Sequence, residues 1–205
     1  MNRKEFIYSS LGLISAFQLS TWLKNHPNIK YHVIGLGTTG GKVINEIAKE
    51  LPQTRFTIID HEIQGDLNPH DLNPQIEMID YYEFISNIQY QTYHHGLNRL
   101  EKDQTYLVIG CLGGLTGSIL CKKLIPYLHN NKLNYQAILT FPFHWEGKRR
   151  KGLARMASEE LANYPHIRYI HLDELLANHR DLKLSKAFEL VRAEIKNKSI
   201  NLLNA

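Results

Sequence analysis

Cysteine is scarce in this chain of 205 residues, which holds only Cys111 and Cys121. Neither sits in a C-x-x-C pair, so a zinc ribbon is not expected, and two thiols cannot build a disulfide framework. A reducing compartment, and with it a cytoplasmic location, is the simplest expectation. Histidine is more plentiful, but His94-His95 and His166…His171 match no common metal-ligand spacing, so no metal site of the protein's own is expected. No apolar run is long enough to cross a bilayer; Leu11–Phe17 is short and broken. Strong charge of one sign is also lacking. The net charge of +4 is too mild to point to nucleic acid, despite the local run Lys148-Arg-Arg-Lys151, and no nucleic-acid partner is expected. No repeat or low-complexity tract is present.

What is present suits one α/β domain. The length fits a single core, residues 29–205, preceded by an extension over residues 1–28. In that extension Phe6, Ile7, Leu11, Ile14, Phe17 and Trp22 can share one side of a helix. Such a helix can pack on the domain, meet a partner, or lie on a membrane surface. Arg3-Lys4-x-Phe6-Ile7 also looks like a degenerate twin-arginine export signal, without a following A-x-A site.

From Lys30 onward, strand and helix patterns alternate, which predicts a three-layer Rossmann-like doubly wound sheet, mainly parallel. Strands are expected at Tyr31–Gly35, Arg55–Asp60, Tyr106–Gly110, Tyr135–Thr140 and Ile167–His171. Helices are expected at Lys42–Leu51, within Tyr82–Leu100, after the second glycine run through Leu128, at Arg149–Tyr164 and at Lys183–Leu203. His61–Gln75, rich in Asn, Asp, Gly and Pro, reads as a loop.

Two glycine runs follow strands. Gly35-Leu-Gly37-Thr-Thr39-Gly40-Gly41 joins the first strand to the first helix. Gly37 has no Cβ to block a phosphate, Gly40 lets the helix lie close to the sheet, and the helix N-terminus offers free N–H groups to an anion. Asp60, at the end of the second strand, stands where a dinucleotide fold places its ribose-binding acid. Alone, this run also fits an NAD- or ATP-dependent Rossmann enzyme. The second run, Cys111-Leu-Gly113-Gly114-Leu115-Thr116-Gly117-Ser118, is another phosphate cradle, with Thr116 and Ser118 adding hydroxyls. Two cradles on one sheet suit a nucleoside triphosphate better than NAD.

Several motifs in order resemble the FtsZ/tubulin family. Gly-Gly-Leu-Thr-Gly-Ser, from Gly113, is similar to the signature G-G-G-T-G-[ST]-G. Thr140-Phe-Pro-Phe-His-Trp-Glu-Gly-Lys-Arg-Arg150 is similar to T-K-P-F-x-F-E-G-x-x-R. Ile170-His-Leu-Asp-Glu-Leu-Leu176 is similar to I-P-N-D-x-L-L, and Ala187-Phe188 falls where the family has A-F. The resemblance runs from about Ile29 to Leu203, with a weak stretch from His61 to Asp103. It implies a purine nucleotide ligand, GTP or GDP, with Mg²⁺ as an optional companion. Gly37, Thr39, Gly40 and Gly41 would approach the phosphates from the first run. Gly113, Gly114, Leu115, Thr116 and Gly117 would form the main phosphate loop. Glu146 would bind the ribose, Arg150 would neutralise phosphate, and Phe188 would stack on the base. A homo-oligomer or an FtsZ-like partner is implied as well.

The pattern also departs from the family. Leu115 and Ile119 replace glycines, which predicts a less permissive loop. The guanine-reading Asn and Asp fall on Arg192 and Ala193, which predicts weaker base selection. The glycine loop that senses the terminal phosphate is reduced to His94-His-Gly96-Leu-Asn98 or lost. The acidic water-activating loop N-x-D-x-x-D does not occur in this sequence, so little autonomous hydrolysis is expected. The expected role is a switch, adaptor or filament-associated module. The alternatives are a Rossmann-type enzyme and a degenerate scaffold that binds no nucleotide.

Overall fold

The computed structural model describes residues 30–51, 54–61, 72–90, 100, 102–176 and 184–203. The expected N-terminal helix, most of the loop after His61, and His94-His95 lie outside these residues. Among the described residues the elements are β1 (Lys30–Leu36), α1 (Gly37–Ala48), β2 (Arg55–Asp60), β3 (Ile76–Asp80), α2 (Tyr81–Tyr90) and β4 (Gln104–Cys111). They continue with α3 (Leu115–Asn130), β5 (Asn134–Phe141), a 3₁₀ turn (His144–Glu146), α4 (Lys148–Leu161), β6 (Ile167–His171), α5 (Leu172–Leu176) and α6 (Leu184–Leu203).

All six strands pair parallel in the order β3-β2-β1-β4-β5-β6. Parallel strands are buried on both faces, and the sequence supplies the matching alternation. In β1, Val33 faces a core shared with α1 and α6, while Ile34 and Leu36 face a second core with α2, α3 and α4. In β4, Leu107 and Ile109 point to the first core and Tyr106 and Val108 to the second. The result is the expected three-layer fold. Each fully buried Val, Ile or Leu contributes roughly 1.5–3 kcal/mol, so the two central strands anchor the domain.

Three differences from the sequence reading stand out. Strand β3 falls between the loop expected to Gln75 and the helix expected from Tyr82, a stretch to which the sequence reading gave no element. Its burial is partial, with Glu77 exposed and only Ile79 fully buried, as suits an edge strand with a weak apolar signal. Helix α1 starts at Gly37, not at Lys42. The run Gly-Thr-Thr-Gly-Gly has poor helix propensity, yet β1 passes straight into the helix because the sheet supports this first turn. Helix α2 is described only from Tyr81 to Tyr90, at the start of the expected 82–100 span.

The strand order reverses between β1 and β4. Their C-terminal ends therefore open outward to helices on opposite faces of the sheet. That reversal leaves a crevice above the strand ends, the usual ligand position in such sheets.

Candidate nucleotide-binding site

A cleft of about 240 Å³ lies above this crevice. It is floored by the junctions of β1 with α1 and of β4 with α3, and walled by the 3₁₀ turn, the start of α4, and α6. Both helix starts reach it. Gly37, at the head of α1, adopts φ +71°, and a Cβ built there would lie 3.5 Å from the Gly117 amide nitrogen and 3.9 Å from Thr116 Cβ. The first turns of α1 and α3 thus converge on one spot. Each helix start carries unpaired N–H groups and roughly half a positive charge.

Helix α3 begins at Leu115, with Gly114 as its N-cap at φ −79°, ψ 144° and no side-chain cap bond. Gly113 holds the turn at φ +94°, and its N–H donates to Ser118 Oγ at 3.0 Å. The Ser118 hydroxyl, expected on the phosphate, is instead buried and occupied in the turn. Leu115, which stands where the family motif has glycine, has no positive φ. It sits in the regular first turn of α3, with 57% of its surface exposed at the cleft mouth.

Gly37, Thr39, Asp60, Gly114, Leu115, Thr116, Gly117, Glu146, Arg150 and Phe188 all line the cleft. Gly40, Gly41 and Gly113 do not. A Cβ on Gly40 would stand 2.8 Å from the Ile109 carbonyl oxygen, so its bare Cα lets α1 lie on the sheet. Gly41 is buried in the same helix. Gly113 packs against Pro142 and the Arg150 carbonyl. Gly117 reaches the cleft, but its Cβ would point elsewhere, 2.5 Å from the Cys111 carbonyl oxygen.

The acids in the cleft are fully engaged. Asp60 is buried; Oδ2 accepts from the Thr38 hydroxyl at 2.8 Å and Oδ1 from the His61 N–H at 2.9 Å. The carboxylate therefore braces the first turn of α1. Glu146 Oε1 accepts the Phe143 N–H at 2.8 Å, and Oε2 pairs with the Arg150 guanidinium. Gly147, at φ +93°, turns the chain from the 3₁₀ segment into α4 and so sets Glu146 one turn before Arg150. The His144 N–H and ring nitrogen meet Asp173 at the start of α5, tying this turn to the β6 side. Burial pushes the Asp173 carboxyl up, but the bonds from His144 and the charge of Lys151 outweigh it and leave the group below its usual range.

Phe188 forms the far wall, edge-on to Phe143 with ring centroids 5.8 Å apart, and Phe143 stacks on Trp145 at 4.2 Å. Phe188 keeps 36% of its surface exposed. Arg192 does not line the cleft; its Nε donates to Glu46 Oε1 at 3.0 Å. Ala193 is exposed. Sequence reasoning missed Thr38, Cys111, Thr140 and Val191 as site residues, and they too line the cleft. The two hydroxyls directly after Gly37 were the available signal for Thr38. Burial raises the Cys111 thiol above its ordinary range, against hydrogen bonds from Thr140 and Thr39, so this sulfur stays protonated.

Convergent helix starts, the Arg150 guanidinium and a partly exposed aromatic wall meet in this cleft. The fold around it matches those of solved structures. FtsZ from M. jannaschii, solved as an empty dimer, superposes with a TM-score of 0.69 at 17% identity, over 89% of this chain and 57% of its own. CetZ2 from Haloferax volcanii, in a GTPγS-bound protofilament, gives 0.65 at 17% identity, over 86% and 59%. The phage tubulin PhuZ with GDP gives 0.62 at 15% identity, over 86% and 56%. The chain thus has the fold of the FtsZ and tubulin nucleotide-binding domain, and it spans a little under three-fifths of the length of these proteins. No family model and no curated protein sequence matches it.

Proposed function

We propose that this cleft binds a purine nucleoside di- or triphosphate, GTP or GDP first, and that occupancy acts as a switch for assembly with a partner. The observation that carries the reading is the meeting of the α1 and α3 starts at the reversal of strand order, within van der Waals reach of each other. Phosphate oxygens would accept from the free N–H groups of Leu115, Thr116 and Gly117, as anions do at helix starts. Thr39 and Thr116 add hydroxyl donors. Arg150 neutralises phosphate, and Glu146 holds it in place. Phe188 stacks on the base.

Charge balance bears on Mg²⁺. Asp60 and Glu146 nearly cancel Arg150 and the two helix starts, so the cleft alone does not offset a triphosphate. Among the described residues no group of three His, Cys, Asp or Glu side chains suits a metal. Mg²⁺ would therefore arrive with the nucleotide, held mainly by phosphate oxygens and water, and would supply the missing charge.

The solved relatives are described as a dimer and as protofilaments, which supports a self-associating or filament-associated module here. None of the described helices is long and apolar enough to cross a membrane. The test is to release bound small molecules from the purified protein with acid, identify them by mass spectrometry, and titrate stripped protein with GTP, GDP and ATP by calorimetry. Micromolar binding of a purine nucleotide is the expected result. No binding at millimolar nucleotide with Mg²⁺ present would refute the reading.

A further inference from the structure

A second pocket, of about 520 Å³, lies at the opposite end of the sheet from the cleft, where β4 and β5 begin and the chain enters β6. Tyr135 lines it while keeping only 5% of its surface exposed. The Tyr135 hydroxyl is buried and has no hydrogen-bond partner among the described residues. Buried polar groups in folded proteins nearly always find one. Burial, and after it the neighbouring Tyr164, raises the pKa of this phenol, so it keeps a proton to donate. The rings of His129 and His166, which also line the pocket, stand edge-on to it with centroids 6.3 and 6.1 Å away.

The wall is rich in donors. Lys132 lines it and no carboxylate does, so the ammonium charge is not balanced within the pocket. Each imidazole keeps at least one N–H donor in either charge state. The carbonyls at the end of α3 are already used: those of Tyr127, Leu128 and His129 accept from the N–H groups of Asn131, Leu133 and Lys132 at 3.0–3.1 Å. The His166 carbonyl accepts from the Ala137 N–H at 2.9 Å. Lys132 and His166 also hold positive φ, 56° and 64°, and no other non-glycine position among the described residues does. Residues with a side chain adopt that conformation at a cost, and here both lie on one pocket.

We propose that this pocket is a second binding site, for a small phosphate monoester. Its phosphate oxygens accept from the Tyr135 hydroxyl, the Lys132 ammonium and the two imidazoles. Its organic group lies against Leu133 and Pro165, which complete the wall. The volume is that of a small-molecule pocket and exceeds what a bare ion fills. The proposal does not rest on the nucleotide reading, because the two sites sit at opposite ends of the strands.

The experiment follows the imidazole signals of His129 and His166 by NMR in the full chain, identified with His129→Gln and His166→Gln, while phenyl phosphate, inorganic phosphate or benzoate is added. Phenyl phosphate should shift both signals. Inorganic phosphate, which lacks the ring, and benzoate, which lacks the third oxygen and the second charge, should each bind roughly tenfold more weakly. Tyr135→Phe and Lys132→Met should each weaken phenyl phosphate by about tenfold, the scale of one lost bond to a charged group. Tyr135→Phe should melt no lower than wild type, because the hydroxyl it removes has no partner in the folded chain. Signals unmoved by all three probes overturn the proposal. So does phenyl phosphate binding unchanged in both variants, or benzoate binding as tightly as phenyl phosphate. None of these failures touches nucleotide binding at the cleft, which calorimetry with GTP reads separately.

Discussion

Gly114→Asp separates ligand binding from folding at this site. Gly114 is the N-cap of α3 in an extended conformation that any residue can adopt, and a Cβ built on it meets nothing within 4 Å. Aspartate is a good N-cap whose carboxylate accepts from the second and third N–H groups of the helix, here those of Thr116 and Gly117. The fold should therefore be unharmed, or gain a few tenths of a kcal/mol from the cap and the helix dipole. The same two donors are the ones offered to phosphate. Occupying them, and placing a negative charge beside the ligand, should cost about 2–4 kcal/mol of binding. That is roughly thirtyfold to a thousandfold in affinity. Gly114→Ala adds bulk without charge and should bind within about threefold of wild type, because its Cβ enters open space. The assay is calorimetry with GTP, paired with a thermal melt of each variant. Gly114→Asp binding GTP like wild type, with an unchanged melt, would show that the phosphates do not sit at the start of α3.

Gly117→Ala should instead damage the fold. Its Cβ would stand 2.5 Å from the Cys111 carbonyl oxygen, and relieving that clash by backbone shifts should cost on the order of 1–3 kcal/mol; a urea midpoint equal to wild type would contradict this. Acid should destabilise the domain through His32. Burial and the charge of Arg55 lower its pKa from 6.5 to about 3, and its Nε2 is 2.8 Å from Thr57 Oγ1. The folded pKa lies below the unfolded one, so this contribution is complete above pH 6.5 and is lost as pH falls toward 3. Between pH 6.5 and 4 the loss should be about 3 kcal/mol, and His32→Gln should remove that part of the slope in chemical melts; a slope kept in full would point to other groups. Purified protein alone should release phosphate from GTP more slowly than about once per minute. Both cleft carboxylates already accept a hydrogen bond or ion pair on each oxygen, and these partners compete with a water for them. Faster release, lost in Gly114→Asp, would reveal a catalytic group of the chain's own.

The sheet was legible because parallel strands buried on two faces leave continuous apolar runs, as in Tyr106–Gly110 and Tyr135–Thr140. The strand signal fades where burial is one-sided. Ile76-Glu-Met-Ile-Asp80 stands at the sheet edge, and its five residues mix exposed and half-buried positions. Propensity misled at the head of α1 for a different reason. Glycine and threonine disfavour helix in isolation, but Gly35 and Gly40 allow so close an approach of helix to sheet that packing overrides the cost. A Cβ on Gly35 would lie 2.6 Å from Ile44 Cδ1 and 2.8 Å from the Gly40 carbonyl oxygen.

The same glycines explain how far the site was legible. A bare Cα permits close approach, and sequence does not say by what. Gly40 and Gly117 are approached by the protein's own backbone, and Gly113 by Pro142 and the Arg150 carbonyl. At Gly114 the space beyond the missing Cβ is open, and at Gly37 the neighbour is the start of α3. A glycine-rich motif thus mixes positions that build the cradle with positions that leave it open, and only the neighbours tell them apart. Charged residues carry the same ambiguity. Arg150 and Arg192 look alike as cations in the sequence, yet Glu146 pairs with the first at the cleft wall and Glu46 draws the second onto α1. Those partners stand 4 and 146 residues away. The near one belongs to a motif and could be read; the far one depends on the register of two helices, which no local pattern encodes.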